Sequence, residues 1–268
     1  GVTSEIAARQ ARNVYIQENT WCDTALTFNA AMSDYCKESE LGPADAVTVG
    51  MPKVYHRLKG EGANQSDEVW YVSTAIYQGN IGRVHRGLAD SEICRREIAL
   101  LDDVYGRLPH KVVFKPYPVF RYVDEDPVLE HADGFENVQV YRDGFDFRYL
   151  ASLARVLVTG GATSTVSWCL MTRRPLVFID DPDWMPLKPE ARTAFEDAVF
   201  LFDNTEPDIH QKLREFLSQS YEEIERLWDE KEWARERMME RFIASGDGIA
   251  GRRAASAIER KLASNVDS

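Results

Sequence analysis

A hydroxyl cluster, Thr163, Ser164 and Thr165, follows a glycine pair, Gly160 and Gly161, directly after the apolar run Val156–Thr159. Residue types in this order suit an anion. The unpaired first-turn amides of a helix and its dipole attract negative charge, and glycine lets main chain approach the ligand closely. A phosphorylated ligand is the expected occupant. Plain N-capping accounts for one hydroxyl; three of them behind two glycines at a strand's carboxyl end exceed what a cap needs. Lys115 ends another apolar run, KVVFK, ahead of Pro116 and Pro118, which stiffen the following turn. A cation there would face the same kind of ligand, the competing reading being a solvated surface lysine.

Three further groups carry chemistry. The loop from Ala75 to Arg86 contains Tyr77, Asn80, Arg83, His85 and Arg86. Forked guanidinium groups such as those of Arg83 and Arg86 suit phosphate or a sugar carboxylate; a flexible polar loop is the alternative. The run Asp180-Asp181-Pro182-Asp183 offers oxygen ligands for a divalent cation. Its position late in the chain, after a strand, reads better as a cap or as lining of the site, with no bound metal. Trp184 beside it would stack on a base or sugar, or cover the core edge. The five histidines have no metal-ligand spacing, and only His85 is a site candidate. The four cysteines are scattered without a CxxC pair and read as small buried hydrophobes.

The elements that must position these residues alternate between short β runs and helical periods, which predicts an α/β fold with a mainly parallel sheet. Strands are expected near Val14–Gln17, Ala46–Val49, Val69–Thr74, Lys111–Phe114, Val138–Tyr141, Val156–Thr159, Leu176–Ile179 and Val199–Phe202. Helices are expected near Thr24–Lys37, Asp90–Tyr105, Phe147–Ala154, Thr165–Thr172, Pro189–Asp197 and Pro207–Ser218. One long amphipathic helix, Tyr221–Ile243, follows, and a last one, Ile249–Leu262. The Gly-, Asn- and Ser-rich stretch around residues 61–67 predicts a linker. Residues 1–60 then form the end of a preceding α/β domain, 68–220 a Rossmann-like nucleotide-binding domain, and 221–268 a C-terminal helical segment.

A net charge of −12 argues against nucleic acid as a partner. No stretch is long and apolar enough to span a bilayer, and no signal-peptide pattern opens the chain. The expectation is a cytoplasmic protein with at most peripheral membrane attachment. No Walker A, Gly-x-Ser-x-Gly or HExxH pattern is present, and Gly160-Gly161-Ala162-Thr163 is unlike GxGxxG.

Four segments together resemble the GT-B glycosyltransferases, and among them the bacterial surface-polysaccharide enzymes, meaning the capsule and CDP-glycerol glycerophosphotransferase groups. Tyr15–Trp21, YIQENTW, is similar to the segment in which the family has a histidine–glycine–threonine triplet, with Glu18 standing where the histidine would be. Val47–Leu58 is similar to the strand end that closes the N-terminal domain. Val112–Pro118, VVFKPYP, resembles a strand followed by Lys-Pro-His-Pro; Lys115 matches and Tyr117 replaces the histidine. Residues 160–180 resemble the hydroxyl-rich stretch that binds the phosphates of CMP, CDP or UDP donors.

The resemblance implies transfer of an activated sugar or polyol phosphate from a nucleotide donor to a glycan or lipid-linked acceptor of the cell surface. Under it Lys115, Tyr117, Gly160, Gly161, Thr163, Ser164 and Thr165 face the donor, and Arg83 of the 75–86 loop, placed by its guanidinium chemistry, is expected to join them. Glu18 becomes the candidate base, and neither metal nor cofactor is required. Two other classes stay open: a non-hydrolysing nucleotide-sugar epimerase, and a non-catalytic nucleotide- or glycan-binding module, the latter suggested by the replacements at Glu18 and Tyr117.

Overall fold

The computed structural model describes residues 21–38, 45–51, 66–75, 77, 88–118, 122–244 and 247–266. Glu18, Arg83, His56 and His85 lie outside the described residues, as do the strand expected at Val14–Gln17 and most of the 61–67 linker. Among the described residues the strands form two sheets, both parallel. In the smaller, β1 (Thr24–Thr27) pairs with β2 (Asp45–Thr48), with α1 (Ala30–Glu38) between them.

The larger sheet contains β3 (Glu68–Val72), β4 (Lys111–Lys115), β5 (Val138–Val140), β6 (Val156–Gly160), β7 (Leu176–Asp180) and β8 (Phe200–Asp203). Their spatial order is β5-β4-β3-β6-β7-β8. The sheet therefore grows outward from β3 in one direction and from β6 in the other, a doubly wound arrangement. Valine, leucine, isoleucine and phenylalanine fill β6 and β7, and their side chains are almost wholly buried. Helices on both faces demand such continuous apolar runs in a parallel sheet.

The covering helices are α2 (Asp90–Asp103), α3 (Pro127–Ala132), α4 (Ser164–Met171), α5 (Pro189–Ala198) and α6 (Ile209–Leu217). Helix α3 starts as its sequence dictates: Asp126 caps the Val128 amide and proline occupies the first turn. The chain ends in α7 (Tyr221–Glu230), α8 (Glu232–Met238), a π turn at Met239–Ile243 and α9 (Ala250–Val266). These segments reach back to the smaller sheet. Asn29 Nδ2 donates to the carbonyls of Phe242 and Ile243 at 3.0 and 3.1 Å, and Arg253 Nε donates to Val49 O at 2.8 Å. No helix among the described residues is long and apolar enough to cross a membrane.

Three expected helices differ from those observed. The helix expected from Thr24 begins only at Ala30, because Asn29 Oδ1 accepts the Met32 amide at 2.9 Å and so caps it; the run Thr24–Thr27 before it pairs with β2 as β1. The helix expected over Phe147–Ala154 is a single 3₁₀ turn, Phe147–Tyr149. Other segments take its carbonyls: Arg174 donates to Ser152 O, and Ser66 donates to Leu153 O through both its amide and its hydroxyl. The long helix from Tyr221 is interrupted at Lys231, whose Nζ leaves to cap the carbonyls of Glu196 and Asp197 at the end of α5. The apolar stripe survives the break. Ile224, Trp228, Met238 and Phe242 are all buried.

Candidate functional site: an anion crevice at the sheet's switch point

Strands β3 and β6 are neighbours although 84 residues separate Val72 from Val156 by number. The strand order reverses between them, and a crevice lined by Thr74, Ala75, Gly160 and Gly161 opens at the carboxyl edge. Two threonines stitch its floor. Thr159 Oγ1 donates to Val72 O at 2.9 Å, and Thr74 Oγ1 donates to Gly160 O at 2.6 Å.

The glycine pair has a structural cause. Gly161 has φ of 72°, in the left-handed region where a side chain is strained. A Cβ on Gly160 would lie 3.2 Å from Ile179 O. The chain then turns into α4. Thr163 is the N-cap, its hydroxyl accepting the Thr165 amide at a long 3.4 Å. Capping thus accounts for one of the three expected hydroxyls. Those of Ser164 and Thr165 make no hydrogen bond among the described residues, and both side chains are half-buried at the start of the eight-residue helix.

Lys115 lies two strands from Gly160, roughly 10 Å at ordinary strand spacing. It is 3% exposed, so the solvated-lysine reading does not apply. Burial lowers its pKa, opposed by the charges of Asp146 and Asp143. The Nζ sits 5.4 Å from the centroid of the Tyr141 ring and makes no ion pair among the described residues. A buried ammonium lacking a close counter-ion is poised to bind an anion. Tyr117, just beyond it, lines a neighbouring small chamber with Ser73, Glu97 and Asp126.

The aspartates after β7 are held by cations of the protein itself. Asp180 accepts from Arg192, which also binds Asp203 at 2.8 Å. Asp181 accepts from Arg96 at 2.6 Å and caps the Trp184 amide at 3.1 Å. Among the described residues no group of three His, Cys, Asp or Glu could hold a metal ion. His110, His131 and His210 bond to Gln219 O, Asp102 and Asp103 in turn. Cys36 and Cys169 are buried, whereas Cys22 and Cys94 are partly exposed.

Several residues of the crevice escaped the sequence reading. Thr74 and Ser73 form its β3 side. Arg148 lies 5.2 Å from the Trp168 ring, and Trp168 follows Ser164 by four residues, on the same face of α4. That spacing was the available signal. On the far side a cleft of about 290 Å³ continues from Thr74, Gly160 and Gly161 towards Trp184, Asn204 and His210.

No protein-family model matches the sequence, and neither does any curated protein at significant similarity. Solved structures do match. A variant of the wall teichoic acid polymerase TagF soaked with CDPG superposes with a TM-score of 0.55 at 15% identity, over 97% of this chain and 63% of that one. A second TagF variant gives a TM-score of 0.50 at 12% identity, over 98% and 65%. The pneumococcal O-GlcNAc transferase GtfA, in complex with UDP and GlcNAc, gives 0.49 at 12%, over 88% and 45%. The chain thus spans less than two thirds of the length of each of these structures. At these identities it is the architecture that is shared: the chain has a GT-B-like α/β fold.

Proposed function

We propose that this chain carries the nucleotide-donor site of a glycosyltransferase, or of an enzyme that transfers a polyol phosphate, with a CMP, CDP or UDP donor and a surface glycan or lipid-linked acceptor. The observation that carries the reading is Lys115, a buried ammonium at the same carboxyl edge as the glycine pair and hydroxyl-rich start of α4. The donor's phosphates lie between the two. Charge develops on the leaving nucleotide as its bond to the transferred group breaks. A fixed ammonium and oriented helix amides stabilise that charge without reorganising. No metal is needed for this step.

The Arg148–Trp168 pair offers a flat cationic and aromatic surface for the base beside α4. The cleft running past Trp184 and Asn204 gives room and hydrogen-bonding groups for the transferred sugar or polyol. Arg83 is assigned to the donor phosphates and Glu18 to the acceptor side, as base. The TagF structure soaked with CDPG makes a cytidine nucleotide the first probe.

Calorimetric titration with CMP, CDP, UDP, GDP and NAD tests the assignment. One pyrimidine nucleotide should bind selectively, and Lys115→Ala or Ser164→Ala should weaken it at least tenfold, about 1.4 kcal/mol or more. Equal binding by the Lys115→Ala variant would refute the role given to the ammonium.

A further inference from the structure

Behind the crevice, under α2, sits a carboxyl group that the phosphate chemistry does not use. Glu97 is 8% exposed and lines the small chamber shared with Ser73, Pro116, Tyr117 and Asp126. Tyr71 donates its hydroxyl to Glu97, and Ser73 lines the same chamber beside it. Ser73 is the hinge of the arrangement. Its amide donates to Lys115 O at 3.0 Å, and its hydroxyl accepts the Ala75 amide at 3.1 Å. Thr74, between them, holds Gly160 O. Glu97 therefore sits beside the one turn that joins the main chain of both halves of the anion site.

The groups facing Glu97 come from every element around it. They are Tyr71 from β3, Tyr105 from the turn after α2, and Asp126 at the cap of α3, the last bonded to Tyr77 at 3.3 Å. Cys94 on α2 itself also feels its charge. All of these are neutral or acidic; Arg95 and Arg96, which line the adjoining cleft with Glu97, are paired with Glu92 and Asp181. Burial pushes its carboxyl up to about 7. Asp126 is raised as well, first by burial.

Resting on the phosphate-site reading above, we propose that Glu97 is a positioning residue that must be neutral for the donor to bind, so that donor binding and protonation of Glu97 are coupled. Neutral Glu97 fills the space behind the Ser73 turn without opposing the donor. Ionised, it places an uncompensated negative charge behind the main chain that meets the phosphates, facing Asp126 across the chamber. Coupling of this kind is reciprocal: bound phosphate must draw a proton onto Glu97.

The test is CDP and UDP affinity from pH 6 to pH 8 for the intact chain and for Glu97→Gln, which keeps the shape and hydrogen bonding but cannot ionise. The nucleotide's own phosphate titrates equally against both proteins, so the ratio of their Kd values isolates Glu97. That ratio should change at least fivefold, the wild-type chain weakening as pH rises. A ratio constant within twofold overturns the proposal. If neither protein binds either nucleotide at any pH, the phosphate-site reading falls. Amide exchange of residues 73–75 and 160–162 in the nucleotide-free chain then decides the role of Glu97. Protection lost above pH 7 in wild type but kept in the variant supports it, and identical behaviour overturns it.

Discussion

Glu97 also makes a prediction about stability that needs no ligand. Its carboxyl rises from 4.5 to about 7 on folding, chiefly through burial. Below 4.5 the group is protonated in both folded and unfolded chains. Between 4.5 and about 7 the folded chain holds a proton that the unfolded chain has released, so stability falls as pH rises through this window and levels off above it. At about 1.4 kcal/mol per pH unit, the gap amounts to roughly 3 kcal/mol at full size. Glu97→Gln removes this loss. Its stability relative to wild type should increase by up to roughly 3 kcal/mol between pH 4.5 and pH 8, a Tm difference on the order of 6–12 °C for a chain of this size. Tyr71 and Tyr105, both raised well above the usual phenol range by burial, stay neutral throughout and do not contribute. Paired thermal or urea unfolding curves across that range measure the difference. A variant that tracks wild type at every pH would show that Glu97 is solvated, and the reasoning from its burial would be wrong.

Other consequences are as direct. Gly161→Ala forces a side chain into a left-handed backbone and brings its Cβ to 3.3 Å from Met185 Sδ and 3.5 Å from Thr74 Oγ1. It should cost about 1–2 kcal/mol and a few degrees of Tm, and an unchanged melting curve would contradict the φ assigned there. Lys115→Met removes a buried charge while keeping the length of the side chain. The nucleotide-free protein should melt at or above the wild-type temperature while CDP affinity falls at least tenfold; a protein that loses stability instead would mark Lys115 as structural. Arg192→Met leaves Asp180, whose side chain is 1% exposed, beside Asp203 without its guanidinium. The loss should be about 3 kcal/mol at pH 7 and smaller at pH 5, where burial helps Asp180 take up a proton. Equal losses at the two pH values, by urea unfolding, would rule out the charge as the cause.

The legible features of this chain are those in which one local stretch carries both the signal and its reason. Val156–Thr159 and Leu176–Ile179 read as strands because a parallel sheet covered on both faces wants unbroken apolar residues. Gly160 and Gly161 read as a close turn into a helix, and the left-handed φ of Gly161 is the physical ground for it. The illegible features are contacts between distant segments. Lys231 looks like one more charge on a helix until the carbonyls of Glu196 and Asp197 arrive to take it. Asp180 and Asp181 read as a cap or as lining of the site, but nothing local shows that Arg192, from α5, and Arg96, from α2, would pair with them.

Glu97 is the extreme case. It stands in the run Arg95-Arg96-Glu97, where a glutamate reads as half of a solvated ion pair. Yet Arg95 and Arg96 both bind Glu92, one turn back, and Arg96 also binds Asp181. Arg95 thus lies on the exposed side of α2 and Arg96 reaches across to Asp181, leaving Glu97 on the face beside Tyr71 and Ser73. A helix advances 100° per residue, so neighbours in sequence need not be neighbours in space. What decides the chemistry of this carboxyl is which way α2 rolls onto β3. The apolar residues Ile93, Leu100 and Leu101, buried on that same helix, set the roll. The proton held by Glu97 is therefore a consequence of core packing, and substitutions that loosen those three side chains should lower its pKa towards the ordinary carboxylate range before they unfold the domain.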